Sequence, residues 1–152
     1  VPDAQFHVVG YFDQNQTMLQ MSDLQPYIDD GTVIYHGYQR NVLPFLQECF
    51  AFVLPSYHEG TPRSVLEAMA VGRPIITTDA PGCRETVVHG ENGYLVPVKD
   101  AKSLAEAMIL FCTENEKTLV MSQNARKMAE EKFDVNIVCE IQSETIRKAM
   151  IK

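Results

Sequence analysis

Two glutamates eight residues apart, Glu59 and Glu67, lie in and just after a turn that contains glycine and two prolines. The turn, Pro55–Ser64, follows a continuously apolar segment and leads into a helical pattern. A carboxylate placed in this way either faces solvent or accepts hydrogen bonds from a polyol such as ribose. Each charge-assisted bond of that kind contributes roughly 1.5–3 kcal/mol. Spacing alone leaves both interpretations open, and a solvated surface acid is the commoner of the two.

The same turn has the features of an anion-binding site. Gly60 leaves the backbone free of side-chain bulk, Thr61 is predicted to cap the following helix, and Pro62 removes an amide that the helix would leave unpaired. The free amides from Arg63 to Val65 would then point outward at the positive end of the helix dipole, which suits a diphosphate. Because the dipole contributes only about 0.3–1 kcal/mol, side-chain donors such as Ser64 would have to add to it.

Short apolar segments alternate with helical patterns along the chain. Strands without polar alternation, separated by helices, imply a parallel sheet covered on both faces. We therefore predict an α/β fold with a doubly wound parallel sheet and a helical C-terminal tail, as one domain over residues 1–152 with a terminal helix at 134–152. The predicted strands are Phe6–Val9, Val33–Tyr35, Phe50–Leu54, Ile75–Thr77 and Tyr94–Val96, and the predicted helices are Met18–Ile28, Val42–Glu48, Thr61–Val71, Arg84–Val88, Ser103–Cys112, Lys117–Lys132 and Asn136–Met150.

Composition and charge exclude several classes of function. The net charge of -7 argues against a surface for nucleic acid or anionic lipid. No segment approaches the roughly 18 uninterrupted apolar residues of a membrane-spanning helix. The four cysteines are far apart and none has a histidine suitably placed beside it, so we expect reduced thiols, an intracellular protein and no zinc site. The start at Val1 instead of methionine suggests that an upstream portion was removed.

The segment Pro55–Pro74, with its Glu-x7-Glu pair, resembles the signature of the group 1 retaining glycosyltransferases. This family has the GT-B architecture, which consists of two facing Rossmann-like domains. The similarity spans Phe6 to Phe111 and includes further positions: Gly82, Glu85, Gly90, Gly93, Tyr94, Leu95, Val96 and Asp100.

The resemblance implies a role for each candidate residue. Glu67 would hold the ribose hydroxyls of the nucleotide, Glu59 the hydroxyls of the donor sugar, and Tyr38 would lie beside the base. The implied site residues are Glu59 in the catalytic role and Gly60, Thr61, Pro62, Arg63, Ser64, Glu67 and Tyr38 in donor binding. The family transfers sugar with retention and without an obligatory metal. The sequence has no Asp-x-Asp motif, so we expect no metal and no cofactor other than the nucleoside-diphosphate sugar substrate.

The resemblance also implies absent parts. The family's C-terminal domain normally begins with a strand and helix that carry a basic Arg…Lys pair, whereas this chain starts one strand later, at Phe6. The N-terminal acceptor-binding domain is absent too, so we expect that this polypeptide alone transfers no sugar. In the common strand order 3-2-1-4-5-6, the absent strand lies between the first and third strands of this chain. We hypothesise that the sheet closes over the gap or that another copy or partner supplies a strand, because unpaired edges favour self-association.

Two other functions stay open. The chain could be a non-catalytic nucleotide-sugar-binding or assembly module that acts with a separate acceptor-binding chain. It could also belong to another enzyme of the same architecture, such as a nucleotide-sugar epimerase. The base, sugar and acceptor stay open, and a role in polysaccharide or glycolipid synthesis follows only by analogy. The full-length enzyme is expected in the cytoplasm, peripheral at the membrane.

Overall fold

A computed structural model describes residues 4–12 and 19–150 of the chain. This part forms short parallel strands and flanking helices. The strands are β1 (Phe6–Val8), β2 (Val33–Tyr35), β3 (Phe52–Leu54), β4 (Ile75–Thr78) and β5 (Gly93–Val96), and the helices are α1 (Met21–Asp29), α2 (Leu43–Glu48), α3 (Arg63–Ala70), α4 (Ala101–Thr113), α5 (Asn115–Lys132) and α6 (Val135–Met150).

Every strand pairing in the described residues is parallel, which confirms the predicted sheet type. The strands nevertheless form two separately hydrogen-bonded sheets, β1-β2 and β3-β4-β5, instead of one. The chain also divides into two compact units, residues 1–44 and 45–152. The strands between which the absent strand was expected, β1 and β3, belong to different sheets. Because these strands lie in different compact units, closure over the gap and a donated strand both stay hypotheses.

The second unit has its core where α4 and α5 cover the β3-β4-β5 sheet. Strand β4 is buried along its whole length, as expected for a central parallel strand. Ile76 and Tyr94 of the sheet pack with Phe111 of α4 and Met121 of α5. Helix α3 buries Val65, Ala68 and Met69, whose spacing places them on one helical face.

One predicted helix is absent from the structure. Residues 84–88 were expected to be helical, whereas 81–86 form turns and the chain then runs irregularly into β5. The cause is the buried side chain of Asn92, which donates to the Thr86 carbonyl (3.0 Å) and accepts from the Val88 amide (2.8 Å). These two bonds take backbone groups that a continuing helix would have used.

The terminal helices agree with the predictions within a few residues. Helix α1 begins at Met21 instead of Met18, which lies outside the described residues, and it opens with a capping box between Gln20 and Asp23. The predicted C-terminal tail is confirmed as α6, which contains no buried residue. None of the helices in the described part of the chain is both long and apolar enough to cross a bilayer.

Candidate functional site

Three loops meet at one edge of the β3-β4-β5 sheet, because the strands are parallel and their carboxyl ends lie together. The loops are residues 55–62 after β3, residues 79–92 after β4 and residues 97–100 after β5. In open α/β sheets ligands bind at this edge. The predicted Pro55–Ser64 turn is therefore placed where such a site belongs.

The start of α3 differs in detail from the prediction. The helix begins at Arg63, so Pro62 occupies the N-cap position, and no side chain caps the helix. The predicted capping role of Thr61 is wrong, because Thr61 stands one residue before the cap. The amide of Val65 donates to the Pro62 carbonyl at 3.0 Å and is also not free.

The first two amides of α3 fit the anion-site prediction better. Within the described residues, the backbone N–H groups of Arg63 and Ser64 donate to no protein group. The Arg63 side chain is 91% exposed beside them. The positive end of the helix dipole and these donors together suit a phosphate group.

Glu59 is held firmly although it lies in a loop. Its carboxylate accepts a hydrogen bond from the Ser56 hydroxyl (2.7 Å), and its amide donates to the Pro81 carbonyl (3.1 Å). The Thr78 hydroxyl donates to the Ser56 carbonyl, which joins the turn to the end of β4. Glu59 is half-buried, so part of the residue stays accessible to solvent.

Gly60 has the open backbone that the sequence predicted. A Cβ atom built on it would meet no heavy atom within 4 Å. A ligand can therefore approach this peptide without obstruction.

Glu67 lies one helical turn after Arg63. The two side chains come within 4.0 Å, and the Glu67 side chain is 46% exposed. An exposed i,i+4 ion pair of this kind contributes at most about 0.5 kcal/mol, so a ligand can displace it at little cost.

Two contacts at the same edge were not predicted from the sequence. Lys99 follows β5 in a left-handed conformation (φ 60°), and its ammonium lies 5.3 Å from the centre of the Tyr57 ring. Arg84 binds Asp79 both through the carboxylate (2.9 Å) and through the carbonyl (2.8 Å). Neither contact has a local sequence signal. Lys99 and Tyr57 belong to different loops, and Arg84 and Asp79 are five residues apart in an irregular loop.

Tyr38 belongs to the first compact unit. It follows β2, its side chain is 70% exposed, and its ring makes an edge contact with Tyr11 at 6.4 Å. The amide of Gly10 donates to the carbonyl of Gly37 (2.9 Å), which ties the two tyrosine-bearing loops together. The proximity of Tyr38 to the Pro55–Ser64 turn stays a prediction.

The described residues bring together no group of three or more histidine, cysteine, aspartate or glutamate side chains that could hold a metal ion.

Comparison with known families decides the relationship. The model of the family "Glycosyl transferases group 1" matches residues 1–128. The chain belongs to the group 1 glycosyltransferases. It is 35% identical over 137 residues to the N,N'-diacetylbacillosaminyl-diphospho-undecaprenol alpha-1,3-N-acetylgalactosaminyltransferase of Campylobacter jejuni, a match that covers 90% of this chain and 35% of that protein.

A second relative is the capsular polysaccharide biosynthesis glycosyltransferase CapM of Staphylococcus aureus. It is 28% identical over 127 residues, which covers 84% of this group 1 glycosyltransferase chain and 33% of CapM. The chain thus spans about a third of the length of these relatives.

Solved structures confirm the fold of this glycosyltransferase chain. The crystal structure of HepE from Anabaena in complex with UDP has a TM-score of 0.88 and 24% identity, and the match covers 97% of this chain and 42% of HepE. The HepE complex with UDP-glucose has a TM-score of 0.82 and 25% identity over the same shares of the two chains. The predicted Rossmann-like fold of a GT-B C-terminal half is therefore confirmed.

Proposed function

We propose that this chain is the donor-binding domain of a glycosyltransferase that transfers a sugar from a nucleoside-diphosphate sugar with retention of configuration. Transfer requires an acceptor-binding domain joined to it. The observation that carries the proposal is the arrangement at the carboxyl edge of β3. A fixed acid (Glu59), an open glycine (Gly60) and the free amides of the first turn of α3 follow one another along the chain there.

Each part of the turn binds one part of the donor. The amides of Arg63 and Ser64 and the exposed Arg63 guanidinium hold the diphosphate, because all of them present positive charge or donors. Thr61 and Pro62 shape the backbone that carries these groups. The proposed donor-binding set is Gly60, Thr61, Pro62, Arg63, Ser64, Glu67 and Tyr38, with Glu59 in the catalytic role.

The two acids bind the two polyols. Glu67 is half-exposed on the first turns of α3 and accepts hydrogen bonds from the ribose diol. Glu59, ahead of the helix, accepts hydrogen bonds from the sugar hydroxyls and stabilises positive charge that develops on the sugar during transfer. Tyr38 lies beside the base. No metal ion or further cofactor is part of this proposal.

The names of the relatives suggest the setting of the full-length protein. The Campylobacter relative is named as an N-acetylgalactosaminyltransferase acting on a diphospho-undecaprenol-linked sugar, and CapM is named for capsular polysaccharide biosynthesis. We propose by analogy that the full-length protein adds a hexose-type sugar during synthesis of a surface polysaccharide, working on the cytoplasmic side of the membrane.

An amide NMR titration of the chain with UDP, GDP and ADP tests the donor site. We expect saturable shifts at residues 60–67 with one of the three nucleotides. Glu67→Ala should lower the affinity for that nucleotide by about tenfold or more, which corresponds to the loss of one charge-assisted hydrogen bond. Glu106→Ala is the matched control, because Glu106 is also an exposed acid in an i,i+4 pair, with Lys102 at 3.9 Å.

Absence of shifts with all three nucleotides in the folded chain would contradict the donor site. Equal weakening by Glu67→Ala and Glu106→Ala would contradict the role of Glu67. In a transferase assay we expect no turnover by this polypeptide alone. Nucleotide binding without turnover after fusion to a relative's acceptor domain would favour the non-catalytic binding module instead.

A further inference from the structure

Gly82, in the loop after β4, lies directly against the backbone of the donor-binding turn. A Cβ atom built on Gly82 would stand 1.8 Å from the carbonyl oxygen of Gly60 and 2.2 Å from that of Glu59. Apart from atoms of its own residue and of its two chain neighbours, a Cβ atom in a protein essentially never has a heavy atom within 3.0 Å. Both obstacles are backbone atoms, so neither can rotate away as a side chain would. With the loop in this position, any residue other than glycine at position 82 must displace the carbonyl groups of Glu59 and Gly60.

The loop that carries Gly82 has several hydrogen bonds of its own. Cys83 is buried, and its amide donates to the Ala80 carbonyl at 3.1 Å. The buried Thr86 hydroxyl donates to the Cys83 carbonyl at 2.7 Å. Arg84 closes the loop through its two bonds to Asp79. These bonds oppose displacement of the loop, so we expect a side chain added at position 82 to displace the turn.

Glu59 is fixed on its other side by Ser56. The Ser56 hydroxyl donates to one carboxylate oxygen of Glu59 at 2.7 Å, and the Ser56 carbonyl accepts from the Thr78 hydroxyl. The backbone of Glu59 is thus located by Pro81 and Gly82, and its carboxylate by Ser56. The two anchors come from different strand ends of one sheet.

We propose that Gly82 and Ser56 are positioning residues that set the place of the Glu59 carboxylate, and that they determine affinity for the sugar of the donor more than affinity for its nucleotide. This inference rests on the proposed function, in which Glu59 accepts hydrogen bonds from the sugar. In that proposal the nucleotide is held by the start of α3, a helix anchored by its buried side chains Val65, Ala68 and Met69.

The chain supplies a matched control for Gly82→Ala. Gly90 has the same backbone angle (φ +84°) as Gly82, but a Cβ atom on Gly90 would meet no heavy atom within 4 Å. Gly90→Ala therefore imposes the same backbone strain without touching the turn. The quantity to measure is the ratio of the dissociation constants for UDP and UDP-glucose, by calorimetry, in the wild type, Gly82→Ala, Gly90→Ala and Glu59→Gln.

We expect Gly82→Ala to weaken the binding of UDP-glucose about fivefold to tenfold more than the binding of UDP, and we expect the same of Glu59→Gln. Gly90→Ala should leave the ratio of the two dissociation constants as it is in the wild type. A general loss of stability would weaken the binding of both ligands equally and would leave the ratio of their dissociation constants unchanged. Amide spectra without ligand give a second measure. The Glu59 and Gly60 signals should shift more in Gly82→Ala than in Gly90→Ala.

Ser56→Ala keeps the inference testable if Gly82→Ala does not fold. It removes the carboxylate anchor and leaves the backbone contact, and it should change the ratio in the same direction. Ser122→Ala is its control, since that hydroxyl only donates to the Thr118 carbonyl.

The outcomes separate the inference from the proposed function. If Glu59→Gln changes the ratio but Gly82→Ala matches Gly90→Ala and Ser56→Ala matches the wild type, the positioning role is wrong and the donor site stands. If Glu59→Gln also leaves the ratio unchanged, the sugar-binding role of Glu59 fails. If the wild type binds neither UDP nor UDP-glucose, the inference is overturned for this donor class.

Discussion

At the scale of single residues, Gly60 and Gly93 allow an effect on ligand binding to be distinguished from an effect on stability, because neither glycine has a positive φ. Gly60 opens on empty space, whereas a Cβ atom on Gly93 would stand 2.0 Å from the carbonyl oxygen of Ile75. We expect Gly60→Ala to change the free energy of unfolding by no more than about 0.5 kcal/mol, as surface substitutions usually do. The same substitution should lower the affinity for UDP-glucose by about tenfold, because the alanine methyl group occupies the path of the ligand. Gly93→Ala should destabilise the fold by about 2 kcal/mol or more, because β5 must move away from β4.

Urea unfolding and calorimetric titration of the two variants check this prediction. Unchanged affinity in a folded Gly60→Ala variant would show that no ligand approaches that peptide. An unchanged unfolding midpoint in Gly93→Ala would show that β5 can shift without loss of packing.

Residue types predicted the turn well, because its features are local. Gly60 needs no partner to be open, and the amides at the start of α3 follow from the helix itself. The roles of Gly82 and Ser56 could not be predicted in this way. Gly82 is required by the carbonyl of a residue in another loop, and only the parallel register of β3 and β4 brings the two loops together.

At the scale of elements, α4 depends on the cap at Asp100. The Asp100 carboxylate accepts from the Ser103 hydroxyl (2.7 Å) and from the Ser103 amide (3.0 Å), and these bonds hold the pKa of Asp100 below its usual range. A carboxyl whose pKa is lowered in the folded state contributes stability above its unfolded pKa of about 3.9, and this contribution is lost as pH falls through the folded pKa. Asp100→Ala should therefore lower the thermal midpoint at about pH 7, and the difference from the wild type should shrink as the pH falls below about 4.

Asp100→Asn is the matched control for this cap. Asparagine keeps an oxygen that can accept from the Ser103 amide, so the helix stays capped, but no charge titrates. Thermal unfolding of the three proteins between about pH 7 and about pH 3 makes the comparison. A constant difference between the wild type and Asp100→Ala over this range would mean that the charge of Asp100 does not contribute.

The ends of helices α3 and α4 were predicted more closely than their starts. Helix α3 ends before Gly72 and Pro74, as the local residue types indicate, but it begins at Arg63 instead of Thr61, and α4 begins at Ala101 instead of Ser103. The segment at 84–88 was predicted as helix and is not helical. Its conformation is set by the Asn92 side chain, whose partners could not be identified before the loop was placed against β5.

At the scale of the whole molecule, the sequence predicted parallel pairing and the order of elements but not the division into two sheets. In the sequence, apolar segments alternate with predicted helices on both sides of residue 44, so this pattern does not mark the boundary between the units. What distinguishes the units is burial. None of the described residues in 1–44 is fully buried, whereas Val65, Ile75 and Ile76 are 0% exposed in the second unit.

This difference predicts unequal stability of the two units. Local opening costs least where few apolar side chains are buried, so amides in α1, β1 and β2 should exchange with solvent on the order of 100-fold faster than those in α3 and β4. Hydrogen exchange followed by mass spectrometry, corrected for intrinsic rates, measures the ratio. Helix α6 is the internal comparison, because it also contains no buried residue and should exchange as fast as α1. Equal protection of β1 and β4 would mean that the first unit opens only when the second unit does, and that the two share one cooperative transition.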